Sequence, residues 1–307
     1  MSDAPIILHH FDASPFSEKI RLLFGIKKLA WTSVLISRIM PRPDLMPLTG
    51  GYRRTPVLQI GADIYCDSHL ILRKLEELHP EPSLFPNHSE GEATALAWWA
   101  EIYMFMPALG FIAYINGDLY APDFVEERRK FGYTLDKKEL EPLFPRHVQQ
   151  LAAHLAWFRT ILADGRPYLL GKQVSAADIA AYPTLWFLRK WGGAETERWL
   201  PVKPLIGWVE RVAALGYGSP TEIAGEAALG IARKTTPIVA EIAPDGDPTG
   251  LKHGTRVTVT PDDVGRDPVE GELVAADDRE VVIRRSDPRA GTVHVHFPRA
   301  GYDVAAA

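Results

Sequence analysis

Near the start of the chain, three short segments carry side chains able to do chemistry on a small peptide: Ser14-Pro15-Phe16-Ser17, Arg54-Thr55-Pro56-Val57, and Asp67-Ser68. The first follows the apolar run Ile6-Ile7-Leu8 and opens a pattern in which Ile20, Leu23 and Phe24 share one face. That spacing predicts a strand, a turn and a helix from about Pro15 to Gly25. Serine before a proline at the first helical position is a helix-start signal in its own right. The same hydroxyl, at the positive end of a helix, is also placed to donate a hydrogen bond to a bound thiolate. A free thiol ionises near pH 8.5, and a donor together with the helix end favours the anion at neutral pH. Ser17 sits one turn further in, where a hydroxyl is expected to bond back to the backbone, so Ser14 is the preferred donor.

The second and third segments supply what the rest of a peptide ligand needs. Pro56 precedes the strand-like Val57-Leu58-Gln59-Ile60, Gly61-Ala62-Asp63 reads as a hairpin turn, and Ile64-Tyr65-Cys66 as the returning strand. A proline there loses no ladder bond. In the cis form it would turn the Thr55 backbone outward to pair with an extended ligand, whereas a trans proline would be a plain strand start. Asp67-Ser68 stands before Leu70, Ile71, Leu75 and Leu78, an amphipathic helix ending near His79-Pro80. The Ser68 hydroxyl and the helix-start N–H groups suit a carboxylate and Asp67 an ammonium, the two groups of one amino-acid end; a simple capping pair is the alternative.

The order strand, helix, proline-strand, hairpin strand, helix, with these turns, resembles the glutathione transferase family. Its amino-terminal domain is a thioredoxin-like α/β sheet. The Ser-Pro-Phe motif is similar to that of the serine-type classes. By that resemblance Ser14 would activate the thiol of glutathione, and Thr55, beside Pro56, would pair with the cysteinyl backbone. Asp67 and Ser68 would hold the γ-glutamyl end, and Arg54 stands where many members have a lysine near the glycyl carboxylate. Thr55 in place of an aliphatic residue, and Gly50-Gly51-Tyr52 in place of an Asn-Pro stretch, depart from the family pattern.

Composition fits a chain of this kind. The 307 residues are enough for two or three domains, and 46% hydrophobic content supplies their cores. Lys and Arg total 34 against 39 Asp and Glu, a net charge of −5, which favours neither nucleic acid nor an anionic membrane. A single cysteine, Cys66, excludes an internal disulfide and fits a reducing cytosol, where a buried structural thiol is its expected state. No basic-apolar leader opens the chain, and no stretch reaches the roughly 18 uninterrupted apolar residues of a membrane span. The expectation is a soluble, cytoplasmic protein.

Beyond Pro80-Glu81-Pro82 the pattern becomes helical. Leu96, Trp99, Ile102, Tyr103 and Met106 recur at helical spacing until Pro107 breaks or kinks the run, and His147, Leu151, Leu155, Phe158 and Leu162 form a second stripe within 136–163. Such stripes are mostly core; by resemblance Trp99, Tyr103 and Met106 are candidates to line the pocket for an electrophile. The segment Leu169-Leu170-Gly171 to Ser175-Ala176-Ala177-Asp178 forms a capping box with Asp at the third helical position and resembles a folding motif of the family's all-helical carboxy-terminal domain. Asp178 is therefore assigned to folding and not to catalysis.

From about Pro220 the chain leaves that plan. Residues 223–250 read as a linker. Residues 251–307 alternate as a meander of about four strands, Thr255–Thr260, Val269–Ala275, Glu280–Arg284 and Thr292–Phe297, expected to form a small sheet or partly open barrel leaning on the helical domain. The tail's 8 Lys and Arg against 10 Asp and Glu lack a nucleic-acid footprint. His294 and His296 share one strand face, with His253 elsewhere. No third metal ligand is evident, and a solvated face opposite Val293, Val295 and Phe297 is expected. The segments Pro261-Asp262-Asp263-Val264-Gly265-Arg266-Asp267-Pro268 and His296-Phe297-Pro298-Arg299 resemble those of a bacterial transferase-like subgroup.

The organisation expected is thus a thioredoxin-like glutathione-binding domain (1–80), an all-α bundle domain (90–222), a linker (223–250) and a small all-β domain (251–307). The family resemblance implies a homodimeric enzyme that adds the glutathione thiolate to small hydrophobic electrophiles, with no metal. The alternative is a non-catalytic scaffold that recognises a protein partner through the carboxy-terminal β domain.

Overall fold

In the computed structural model, residues 4–238 and 247–307 are described, so part of the segment read as a linker, 239–246, lies outside the described residues. In chain order the elements begin β1 (Ile6–His10), α1 (Pro15–Ile26), β2 (Ala30–Leu35), α2 (Met46–Thr49), β3 (Val57–Ile60), β4 (Asp63–Cys66) and α3 (Ser68–Leu78). The helical run comprises α4 (Glu90–Trp98), α5 (Phe105–Asn116), α6 (Pro122–Phe131), α7 (Lys137–Leu140), α8 (Phe144–Ile161), α9 (Ala176–Trp199) and α10 (Ile206–Ala213). The remainder is β5 (Ser219–Glu222), α11 (Gly225–Lys234), β6 (Arg256–Pro261), β7 (Val269–Ala276), β8 (Glu280–Asp287), β9 (Gly291–Pro298) and β10 (Tyr302–Ala306).

These elements form two compact units. One holds Met1–Ile20, Lys28–Leu75 and Gly218–Ala307; the other holds Arg21–Lys27 and Glu76–Tyr217. The first is built on one sheet of ten strands in the order β10-β6-β7-β8-β9-β4-β3-β1-β2-β5. Its thioredoxin-like centre pairs β1 parallel to β2 and antiparallel to β3, with β3–β4 the expected hairpin.

The tail meander is present, and it continues the thioredoxin-like sheet. Its β9 pairs in parallel with β4, Asp63 opposite His294, Ile64 opposite Val295 and Tyr65 opposite His296. A sheet of about fifty residues buries too little apolar surface to stand alone, and β4 otherwise presents an open edge, so the pairing solves both problems. The tail also has a fifth strand, β10, which returns to pair with β6. Tyr52, Val57, Ile64 and Cys66 share one core with Val257, Leu273, Ile283, Val295 and Phe297. The region read as a linker contains α11, whose Ala228 packs with Ile7 and Val34 while Gln59 donates to the Ala228 carbonyl at 2.9 Å. Small residues let this helix lie close to the sheet. Their low hydrophobicity is what made the segment read as a connector.

His294 and His296 are buried, not solvated. On the face opposite Val295 the two imidazoles pack against Asp63 and Tyr65 of β4 and Glu280 of β8. His296 Nε2 lies 3.0 Å from an Asp63 carboxylate oxygen and its ring stacks on Tyr65 at 4.3 Å. Burial pushes the His296 pKa down, but hydrogen bonds and charge from Asp63 and Glu280 outweigh it, and the net shift is upward.

In the helical unit the run does not end at Pro107. A π-helical turn, Trp99–Met104, precedes α5, and the chain continues as helix to Asn116. Proline lacks the N–H that would bond the residue four positions back, and a local change of hydrogen-bond spacing absorbs that loss. The run Glu90–Leu119 is, by length and composition, long and apolar enough to cross a membrane, although half of its most apolar window is buried within the unit, as in a core helix. At the start of α9, Asp178 is fully buried and accepts four hydrogen bonds, from Leu169 N, Ser175 N, Ser175 Oγ and Trp208 Nε1, at 2.7–2.9 Å. It ties the preceding loop, the helix start and α10 together, which agrees with a folding role.

Two outcomes are expected. Asp178→Ala strands four buried donors and should lower the unfolding free energy by roughly 3 kcal/mol in urea titration. For His296, a folded-state pKa above the unfolded value of about 6.5 means that its stabilisation is complete below that pH and is lost as pH rises through the folded pKa. The stability difference between wild type and His296→Gln should therefore be larger at pH 6 than at pH 8.5.

Candidate functional site

Strand register brings the three sequence segments to one end of the sheet. His9 lies opposite Val57 and Val57 opposite Cys66, so the chain leaving β1 toward Ser14, the Thr55-Pro56 step entering β3, and Asp67-Ser68 leaving β4 share that end. Ser14 is buried and caps α1, its Oγ accepting the Ser17 N–H at 3.2 Å. A hydroxyl that accepts in this way still has its hydrogen to give, so capping orients the donor without consuming it. Ser17 departs from expectation. Its hydroxyl does not bond back to the backbone; it is fully buried with no hydrogen-bond partner among the described residues.

The Thr55–Pro56 peptide is cis. The loop before it is held by Arg42, a buried residue that no local pattern singles out. Its guanidinium donates to the carbonyls of Ser37 and Arg53, at 2.8 and 2.6 Å, and to Thr55 Oγ1 at 3.1 Å. The unusual threonine thus has a local reason, because an aliphatic side chain could not accept that bond.

Asp67 sits at φ 77°, in the left-handed region that an L-residue enters at a cost of about 1 kcal/mol or more. One carboxylate oxygen accepts the His69 N–H at 2.9 Å. The other accepts the Tyr302 hydroxyl at 3.0 Å, and Tyr302 in turn lies 2.9 Å from the Tyr52 hydroxyl. Burial and the adjacent Asp67 charge raise the Tyr302 pKa well above that of a free phenol, so it remains a donor. Ser68 Oγ accepts from the buried Lys19 Nζ at 3.3 Å, a second residue that helix-face reasoning passed over.

Arg54 is also engaged by the tail. Its Nε donates to the Val264 carbonyl at 3.0 Å, its Nη2 pairs with the Asp263 carboxylate, its Nη1 lies 3.9 Å from Asp67, and its guanidinium stands 5.7 Å from the centre of the Tyr302 ring. Burial opposes the Arg54 charge, but the Asp263 and Asp67 carboxylates offset it and the cation is held. Ser14, Arg54, Thr55, Pro56, Asp67 and Ser68 are therefore gathered at one sheet end, joined by Tyr302 and Asp263 from the tail. The only sequence signal for these two was the Pro-Asp-Asp turn and an aromatic beyond the last expected strand.

The residues proposed for an electrophile pocket belong to the helical unit. Trp99 turns toward α8, with Nε1 3.2 Å from His154 Nδ1 and its ring 6.2 Å from Phe158. Tyr103 and Met106 are exposed, at 64% and 40%. The π turn between them shifts the helical register, so an even helical spacing no longer predicts one stripe. Among the described residues no group of three or more His, Cys, Asp or Glu is placed to hold a metal ion.

The glutathione S-transferase N-terminal domain profile matches residues 8–83 and the C-terminal domain profile residues 141–211. A crystal structure of a GST-like protein from Pseudomonas syringae is 36% identical, with a TM-score of 0.75, and the match covers 99% of this chain and 100% of that one. Glutathione S-transferase U4 of Arabidopsis thaliana is 26% identical over 88 residues, which are 29% of this chain and 39% of that protein, well under half of its length. FtsZ-localized protein A of Caulobacter vibrioides is 24% identical over 179 residues, 57% of this chain and 73% of that protein. The chain belongs to the glutathione S-transferase-like family.

Cys66, next to Asp67, is fully buried, and burial followed by the Asp67 charge raises its pKa well above the ordinary thiol value. Native protein should leave Cys66 unmodified by an aromatic disulfide reagent over hours, with one thiol released per chain on addition of denaturant.

Proposed function

We propose that this protein is a glutathione transferase that binds reduced glutathione at the sheet end described above and adds its thiolate to small hydrophobic electrophiles. The observation that carries the reading is the convergence of a helix-capping serine with an unspent hydroxyl hydrogen, a cis-proline strand start and an Asp-Ser pair at a helix start. Asp67 and Ser68 hold the γ-glutamyl ammonium and carboxylate, with Lys19 behind Ser68 adding positive charge. Thr55 presents its backbone to the cysteinyl residue, placed by cis-Pro56 and braced by Arg42. Ser14 donates to the sulfur, so the thiol loses its proton to solvent at lower pH than free glutathione. The sulfur lone pair then forms the carbon–sulfur bond as a leaving group departs with its electrons, or as a conjugated π bond shifts onto its acceptor. A homodimer in a reducing cytoplasm belongs to the same proposal.

A second reading is favoured by one observation: Arg54 and Asp67 are already bonded to Asp263 and Tyr302 of the chain's own tail. A scaffold that keeps the fold and recognises a protein partner would show such occupation, and one relative is named for its localisation to FtsZ.

Calorimetric titration with reduced glutathione separates the two. The transferase reading expects saturable binding that Asp67→Ala weakens. It expects Ser14→Ala to keep most of the affinity, to raise the pH at which the bound thiol ionises, and to lower turnover of an activated aryl halide by about a hundredfold. No binding at millimolar glutathione would leave the scaffold reading.

A further inference from the structure

The segment Pro261-Asp262-Asp263-Val264-Gly265-Arg266-Asp267-Pro268, which connects β6 to β7, carries the groups that engage Arg54. Arginine presents five N–H donors in a planar fork, and it binds a carboxylate through two of them at once. At Arg54 the edge formed by Nε and Nη2 is taken by the Val264 carbonyl and the Asp263 carboxylate. With Nη2 engaged by both acceptors, neither edge of the fork can take a ligand carboxylate through two N–H groups at once, and Nη1, which is not hydrogen-bonded among the described residues, faces Asp67. The cation also stands between two chain carboxylates, so an arriving anion meets a net negative neighbourhood.

The loop carrying Asp263 is fixed in place. Asp262 N donates to the Gly301 carbonyl at 3.0 Å, Arg266 Nη1 to the Asp262 carbonyl at 2.6 Å and Arg266 Nη2 to Asp303 at 3.3 Å, while Asp267 pairs with Arg53 at 3.5 Å. All of these groups lie in the same compact unit as Arg54. Arg54 is 17% exposed at its side chain and Asp263 is 43% exposed, so the pair is formed at the rim and not sealed beneath it.

We propose that Asp263 is a specificity-determining residue: it occupies the cation that would read the carboxylate at the far end of the peptide, so the site selects γ-glutamyl-cysteinyl compounds whether or not that carboxylate is free. This rests on the glutathione-binding reading of Asp67 and Arg54 given above. The site then recognises its ligand by the γ-glutamyl end and the thiol. Glutathione esterified or amidated at glycine, and γ-glutamylcysteine derivatives extended by a neutral group, are ligands of equal standing with glutathione.

The test is calorimetric titration at low salt of wild type, Asp263→Asn and Asp263→Asn/Arg54→Gln with glutathione and with its glycyl monoethyl ester. Wild type is expected to bind acid and ester within about twofold of each other. Asp263→Asn should bind the acid about fivefold more tightly than wild type does and leave the ester unchanged, the scale of one rim ion pair. Adding Arg54→Gln should remove that preference. A wild-type preference of fivefold or more for the free acid overturns the proposal, as does an Asp263→Asn change that is equal for both ligands; in either case glutathione binding itself stands. If neither form binds wild type or Asp263→Asn, the transferase reading falls and this inference falls with it. Asp263 is half in solvent on a loop braced by other residues, so the urea midpoint of Asp263→Asn should match wild type and confirm that folding is not the cause.

Discussion

Three residue pairs, Asp63 with His294, Ile64 with Val295 and Tyr65 with His296, join the last strands of the chain to the thioredoxin-like centre. The arrangement of the tail around the site depends on this seam. It turns β4 from an edge into an interior strand, buries a histidine between an aspartate and a glutamate, and merges two small apolar clusters into one core. A parallel pair is intrinsically no stronger than an antiparallel one, so the apolar residues packed across the seam carry much of the stabilisation. Once β9 is in place, β6 and β10 are positioned so that Asp263 and Tyr302 reach Arg54 and Asp67.

The site built on that seam combines two kinds of residue. Ser14, cis-Pro56 and Ser68 are set by the local grammar of helix starts and a strand start, and they need nothing from the tail. Arg54 and Asp67 are different, because their hydrogen-bonding capacity is shared with groups far away in sequence. A carboxylate oxygen has two lone pairs, so Asp67 can keep its bond from Tyr302 and still accept from an ammonium. A guanidinium whose Nη2 is already shared by two acceptors has no edge left for a second bidentate partner. In the proposed reading the same tail therefore leaves one end of the peptide readable and competes for the other.

Much of the amino-terminal half was legible because its signals are local. The capping serine, the Pro56 strand start and the Asp-Ser helix start are each written within four or five residues, and the register of three strands then places them together. The buried Asp178 was legible for the same reason. What was not legible depends on partners distant in sequence. The burial of His294 and His296 follows from a strand more than two hundred positions earlier, and nothing in their own alternation distinguishes a solvated face from one covered by another layer. Helix α11 was hidden by its small residues, whose value lies in close approach and not in bulk. Trp99, Tyr103 and Met106 were grouped by an even helical spacing that a π turn interrupts. Arg42 and Lys19 look like ordinary surface cations until the loop and the helix around them are folded.

The separation of 235 positions between Asp67 and Tyr302 also bears on how the molecule is made. A ribosome delivers the amino-terminal strands first, and domains begin to fold as they emerge. During that interval β4 has no neighbour on one side, and an unpaired strand is a template for the wrong partner, including another nascent chain on the same messenger. The cradle around Asp67 is thus completed only after β9 and β10 have emerged. A chain that loses its final two strands to premature termination or to a protease forfeits more than an appendage, because it returns to the cell a sheet whose adhesive edge is open.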